Sequence, residues 1–262
     1  MKIVFIGAGN LATHLSLALQ KAGFEIVQVY SRTEESAKEL AGLLQVPYTT
    51  NINNVVHHAS IYFISVCDDA IAPLSEKLVS SSGIIVHTAG SVPMDVFENK
   101  FDNYGVFYPL QTFSKRQQVD FSNIPIFVEA NTQNNLNILQ KIACSISQNV
   151  FEAGSQQRKQ LHLAAVFCCN FVNHLYHLAS EIAGQAGFNF NILSALILAT
   201  AQKAVLSGNP KEVQTGPAVR NDRKVMEKHL DLLNAHPEWQ EIYSILSKGI
   251  VHELHELTRK KN

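Results

Sequence analysis

Lys2-Ile3-Val4-Phe5-Ile6-Gly7-Ala8-Gly9-Asn10-Leu11-Ala12 decides the fold: a short apolar run, then the pattern G-x-G-x-x-A, then the start of a helical stripe. Each piece has a physical role. Gly7 permits a tight turn, Gly9 lets the backbone approach a pyrophosphate, and Ala12 lets the new helix sit close to a sheet. The helix beginning at Asn10 and Leu11 offers amide donors and the positive end of its dipole to an anion. Leu11, Leu15, Ala18, Leu19 and Ala22 recur at helical spacing, which gives residues 10–22 one apolar face. A glycine pattern alone could be a plain strand-to-helix turn, but between a strand and an amphipathic helix it reads as a dinucleotide fingerprint.

Working outward, strand-like and helix-like segments alternate: a strand at 25–30, a helix at 34–44, and short β-branched runs at 61–66 and 84–87. A strand at 125–129, a helix at 133–147 and a strand at 149–151 follow. This rhythm predicts an α/β fold, with a doubly wound Rossmann sheet over residues 1–153. From 154 to 262 the β-rich runs stop, so an all-α domain for substrate binding and dimerisation is expected there. The segment 161–183 is apolar nearly all round; no Lys or Arg stands between Lys159 and Lys203, and Glu181 is the one acid. A helix of that kind must be buried on most sides. A domain of about 100 residues does this poorly alone, so a homodimer through the helical half is expected.

The second strand ends in Tyr30-Ser31-Arg32-Thr33, where an NAD-binding protein places a carboxylate on the ribose hydroxyls. Ser31 and Thr33 can donate to a 2′-phosphate and Arg32 can neutralise it, which points to NADP as the cofactor. Arg32 as an ordinary surface arginine is the competing reading. Val66, Cys67 and Asp68 end the 61–66 strand beneath the expected cofactor, with Asp68 alternatively an N-cap. His87, Thr88, Ala89 and Ser91 end the next strand at the same edge, where Thr88 and Ala89 would meet cofactor, Ser91 substrate, and His87 the reacting atoms.

Tyr108-Pro109-Leu110-Gln111-Thr112-Phe113 reads as a loop that either lines a substrate pocket, through Gln111 and Thr112, or closes a turn. Taking about 100° per residue, His162, Asn170, Asn173 and His177 fall within an arc of roughly 80° on the apolar helix. Either they face the cleft, with His162 and Asn170 foremost, or they form a hydrogen-bonded seam. Arg220 clamps an anionic substrate or pairs with Asp222. His252 and His255 stand three apart rather than in an H-E-x-x-H zinc pattern, so no metal is expected.

Twenty-one basic against twenty-two acidic residues supply no cationic surface for nucleic acid. No apolar stretch reaches the roughly 20 residues of a membrane span, the N-terminus lacks a signal pattern, and Cys67, Cys144, Cys168 and Cys169 lack ligand spacing. A cytoplasmic protein with packed, reduced thiols, a small-molecule substrate and neither nucleic-acid nor membrane partner is expected.

The fingerprint, His87-Thr88-Ala89-Gly90-Ser91, Pro109-Leu110-Gln111-Thr112-Phe113, the helix from His162 to Asn170, and Thr215-Gly216-Pro217 with Arg220, Asp222 and His229 resemble a family over nearly the whole chain. It comprises Rossmann-like predicted NADP oxidoreductases with an uncharacterised helical C-terminal domain. Its layout is similar to pyrroline-5-carboxylate reductase and, more distantly, to the 6-phosphogluconate and β-hydroxyacid dehydrogenases. The resemblance implies a substrate in the cleft between domains. In the β-hydroxyacid dehydrogenases a lysine stands four residues before a helix asparagine; here Val166 precedes Asn170 at that spacing. The expected function is an NADP(H)-dependent oxidoreductase passing hydride to a small C=N or C=O substrate, with the proton donated by His87, Thr112, His162 or Asn170. The alternative is a non-catalytic NADP-binding sensor or scaffold dimer.

Overall fold

A computed structural model describes residues 1–79 and 82–259, with the backbone alone for 253–259. The His255 side chain therefore lies outside the described residues. The chain divides into two compact units, Met1–Phe171 and Val172–Asn262. The division falls eighteen residues beyond the expected end of the sheet-bearing half, because α5 (Ser155–Ala165) and a π-helical turn at Val166–Phe171 belong with the sheet unit.

In the first unit the order is β1 (Lys2–Ile6), α1 (Asn10–Lys21), β2 (Glu25–Tyr30), α2 (Glu34–Leu44), β3 (Tyr48–Thr49), β4 (Ile61–Ile64), α3 (Asp68–Ser75) and β5 (Ile84–His87). Then come β6 (Tyr104–Pro109), β7 (Ile126–Ala130), α4 (Gln133–Cys144), β8 (Val150–Glu152) and α5. Among the described residues these strands form one sheet in the order β3-β2-β1-β4-β5-β6-β7-β8, parallel throughout except for β6 against β7. The doubly wound sheet is as expected. The strand β6 is not: Tyr108 and Pro109 sit in it rather than in a loop.

Period-two alternation sorts β1 onto both faces of the sheet. Ile3 and Phe5 join Leu15, Leu19, Phe63, Val86 and Phe107 on one side, while Val4 and Ile6 join Tyr62, Ile64, Ile85 and Phe97 on the other. Phe63 stacks on Phe5 at 5.2 Å and meets Phe107 edge-on at 5.3 Å, which ties β1, β4 and β6 together beneath α1. A fully buried phenylalanine of this kind costs about 3–5 kcal/mol when truncated to alanine.

The second unit holds α6 (Val172–Gln185), α7 (Ser194–Ser207), α8 (Arg223–Leu232) and α9 (Pro237–Arg259). Its buried apolar side chains among the described residues are Leu178, Ala218 and Leu233. Val205 and Leu206 on α7 and Leu232 on α8 are at least 80% exposed, an unusual state for a helix face of that composition. Residues Phe190–Ser207 are also long and apolar enough to cross a membrane by length and composition. This corrects the expectation that no stretch comes close.

Two further sequence expectations change. The segment 161–183 is not one regular α-helix: the turn at Val166–Phe171 inserts i→i+5 spacing and resets the phase between His162 and Asn173. It is also not buried within the chain, since Leu163, Phe167 and Phe171 are each at least half exposed. The cysteines are unpaired as expected, but Cys67, Cys144 and Cys168 are exposed rather than packed.

Candidate functional site

A cavity of about 740 Å³ opens in the first unit along the carboxyl ends of β2, β1, β4, β5 and β6. Four strand spacings of about 4.8 Å make such a groove roughly 19 Å long. It crosses the point between β1 and β4 where the strand order reverses, which is where doubly wound sheets bind ligands.

Gly7, Gly9, Asn10 and Leu11 line its middle. Gly7 has φ +115°, and a Cβ built on it would stand 2.0 Å from the carbonyl oxygen of Ser65, so only glycine lets the β1–α1 turn pack on the end of β4. Gly9 is different. A Cβ there meets no protein atom within 4 Å and would project into open space. Gly9 is the N-cap of α1 and supplies no side-chain cap, which leaves the first-turn amides available to an anion. Asn10 is held at the mouth, its Nδ2 donating to the Phe113 carbonyl at 2.9 Å.

Ser31, Arg32 and Thr33 line the β2 end, together with Ser36. The Thr33 hydroxyl makes no capping bond to α2. Among the described residues no carboxylate lines this end, and the one acid on the cavity wall is Asp68, at the start of α3. Val66 and Cys67 line the wall beside it. Cys67 is the N-cap of α3 and Asp68 its first residue, so Asp68 is not the cap; its carboxylate accepts a hydrogen bond from Ser91 Oγ.

Beyond β5, Thr88, Ala89 and Gly90 line the cavity and lead to Tyr108 and His162. Tyr108 Oη and His162 Nδ1 are hydrogen-bonded at 3.1 Å. A Cβ on Gly90 would come within 2.7–2.9 Å of both rings, so a bare glycine is what lets them close over the loop. Burial pushes the Tyr108 phenol up to about 12; Arg158 opposes that shift and Asp68 adds to it. Tyr108 is thus a protonated phenol at neutral pH.

Arg158 builds this end of the site. Its side chain is fully buried and ion-paired with Glu129 of β7. Nη2 donates to the Val92 carbonyl at 2.6 Å and Nε to the Ala89 carbonyl at 3.3 Å, so one guanidinium grips the chain on both sides of Gly90. Glu129 also accepts from the backbone amide and hydroxyl of Ser155, the first residue of α5. Arg158 and His162 are four residues apart on α5, one above the other on the same face.

Of the residues expected at a site, Gly7, Gly9, Asn10, Leu11, Ser31, Arg32, Thr33, Val66, Cys67, Asp68, Thr88, Ala89 and His162 share this one cavity. The others do not line it. His87 is sealed in the core against Phe97, with Nδ1 accepting from the Ala89 amide; Nε2 has no well-formed hydrogen bond among the described residues, although the Pro93 backbone lies close enough to oppose the fall in its pKa. Burial, reinforced by Arg158, brings its pKa down to about 3, so it stays neutral. Ser91 reaches the site only through Asp68. Gln111 and Thr112 are exposed in the segment after β6, and Asn170 is exposed on the π-helical turn. Arg220 is exposed in the second unit.

Sequence reasoning passed over Tyr108, Arg158 and Lys77, the last lining the cavity beyond α3. Alternation through Tyr104–Pro109 would have placed Tyr108 at a strand end. The Arg158–Glu129 pairing leaves no signal along the chain.

The cavity's shape, its carboxylate-free β2 end and its glycine cradle define a Rossmann-type dinucleotide site, and they fit NADP. A family profile described as "NADP oxidoreductase coenzyme F420-dependent" matches residues 2–89, and one described as "Domain of unknown function (DUF2520)" matches residues 124–250. A crystal structure described as a "putative NADP oxidoreductase" from Bacteroides fragilis is 48% identical over 96% of this chain and 98% of its own, with a TM-score of 0.91. The chain belongs to this NADP oxidoreductase family. A pyrroline-5-carboxylate reductase from Streptococcus pyogenes shares the fold at 13% identity, over 96% of this chain and 98% of its own, with a TM-score of 0.64. So does an imine reductase from Myxococcus stipitatus in complex with NADP+, at 14% identity over 99% and 95% and a TM-score of 0.63. No curated protein matches the sequence.

The two fingerprint glycines should separate in denaturation and binding experiments. Gly7→Ala should lose about 1–3 kcal/mol of stability in urea, whereas Gly9→Ala should unfold like the wild type yet bind NADPH at least tenfold more weakly. Acid titration should expose His87. Its folded pKa lies below its unfolded value near 6.5, so its contribution is present above that pH and is lost as pH falls toward 3. A His87→Asn variant should show a flatter decline in melting temperature between pH 6.5 and 3.

Proposed function

We propose that this protein is an NADPH-dependent reductase acting on a small C=N or C=O substrate at the Tyr108–His162 end of the cavity. The observation that carries the reading is one groove with cation and hydroxyl groups at its β2 end and a protonated phenol bonded to an imidazole at the other. Gly7 to Leu11 would seat the pyrophosphate, and Ser31, Arg32 and Thr33 the adenosine phosphate. Bound there, the nicotinamide supplies a hydride to the substrate carbon.

The chain's own part is the proton and the fit. Tyr108 Oη–H donates to the substrate heteroatom as negative charge develops on it, and His162 Nδ1 returns a proton to the phenolic oxygen. Arg158 steadies the pair by fixing the Ala89–Val92 loop and, through its charge, eases loss of the phenolic proton. On this reading His162 keeps its expected catalytic role in partnership with Tyr108, and His87 serves to hold the Ala89 amide.

Monitoring NADPH absorbance against cyclic imines, 2-oxo acids and semialdehydes tests the assignment. Consumption with at least one of these classes is expected, with Tyr108→Phe slowing kcat by about 10²–10⁴ and leaving the Kd for NADPH within twofold. A protein that binds NADPH but consumes none with any of them would be the sensor instead.

We also infer that the protein assembles as a homodimer through its helices. The sparse core of the second unit and the exposed Leu196, Leu198, Val205 and Leu206 on α7 support it. Lys203 within the apolar stretch Phe190–Ser207 speaks against a membrane span. Sedimentation without detergent should give a species of twice the 29.0 kDa chain mass at micromolar concentration. A monomer, or protein recovered only with detergent, would contradict this.

A further inference from the structure

Within the reductase reading above, the cation Lys77 on the cavity wall has no assigned role. Ala70, Pro73, Leu74 and Lys77 all line the wall, and their spacing places them on one face of α3 and the turn that continues it. At about 1.5 Å per residue, Lys77 lies roughly 13 Å along that face from Asp68. The face therefore runs from the acid beside the glycine turn, past the apolar Pro73 and Leu74, to a cation.

Charge sharpens the contrast. The carboxylate next to Lys77 in sequence, Glu76, is ion-paired with Lys100. Lys77 and Arg32 make no ion pair with any described residue, although both are cations on one cavity wall. Both side chains are exposed, so an anion entering the groove would be met by two cations not already paired with a described residue. Ser31 adds a second sign: the residue is 9% exposed and lines the same cavity, and its hydroxyl makes no hydrogen bond to any described residue. None of the α2 carboxylates, Glu34, Glu35 and Glu39, lines the cavity; Glu34 accepts from Tyr48 Oη at 3.2 Å and Glu39 pairs with Lys115.

We propose that Lys77 is a cofactor-selecting residue, the second cation of a pocket in which Arg32, Ser31 and Lys77 together bind the 2′-phosphate of NADP, with Pro73 and Leu74 as the apolar wall beside the adenine. A 2′-phosphate carries close to two negative charges at neutral pH, and one guanidinium leaves it half compensated. An ammonium on a flexible stem, brought from a different element, supplies the remaining charge as a point contact. Because NAD lacks that phosphate, Lys77 separates the two cofactors and contributes nothing to the pyrophosphate.

Calorimetric titration of the wild type, Lys77→Ala and Lys77→Arg with NADPH, NADH, 2′,5′-ADP and 5′-AMP tests this. Lys77→Ala should weaken NADPH and 2′,5′-ADP by about tenfold, roughly 1.4 kcal/mol, and leave NADH and 5′-AMP within twofold. Lys77→Arg should restore most of the loss, and all three proteins should melt at similar temperatures. Equal losses for phosphorylated and unphosphorylated ligands, or no loss for either, would overturn the assignment while leaving the reductase reading intact. A wild type that bound neither dinucleotide would overturn both.

Discussion

The burial of Arg158 is the constraint on which one end of the site depends. An arginine with no exposed side chain is tolerated only when its charge is paired and its donors are satisfied, and here Glu129, Ser155 and the carbonyls of Ala89 and Val92 do both. Those partners come from β7, the start of α5 and the loop after β5, so one guanidinium fixes three elements against each other. Removing Glu129 alone would leave an uncompensated buried charge, a loss of about 3–5 kcal/mol. The pair therefore holds the geometry more than it adds stability.

From that anchor the rest of the groove follows. One helical turn beyond Arg158, α5 presents His162 to Tyr108, and the missing side chain of Gly90 leaves room for the contact. At the middle of the groove the setting is reversed: Gly7 is glycine because the protein itself fills the space, whereas a side chain at Gly9 would project into the open cavity. The same residue type thus answers two different steric demands two positions apart. The β2 end carries Arg32 with the hydroxyls of Ser31 and Thr33, and Asp68 lines the wall at the start of α3.

Much of this was readable along the chain, for identifiable reasons. β1, α1, β2 and α2 announce themselves through periodicity, and the fingerprint lies within six consecutive residues, so no long-range information was needed. Ser31 and Arg32 follow because their register to the fingerprint is fixed by the βαβ unit. Tyr108 was missed because β6 contains Gly105 and ends at Pro109, both poor strand formers, so local propensity argued for a loop where tertiary pairing with β5 and β7 makes a strand. His87 was read as a site residue from its position at a strand end, but alternation turns it inward onto Phe97. Asn170 was placed with His162 by assuming 3.6 residues per turn, and the π-helical turn breaks that assumption. The Arg158–Glu129 pairing is a contact across 29 residues that composition cannot reveal.

The sheet begins with a two-residue strand and finishes with a three-residue one. Edges that brief present few unpaired amides and carbonyls, so they offer little template for another strand to add to. Lateral growth of the β-structure, with its hazard of open-ended fibres, is thereby discouraged at both borders. Any association between copies would then fall to surfaces where side-chain shape, rather than backbone hydrogen bonding, decides which neighbour is accepted.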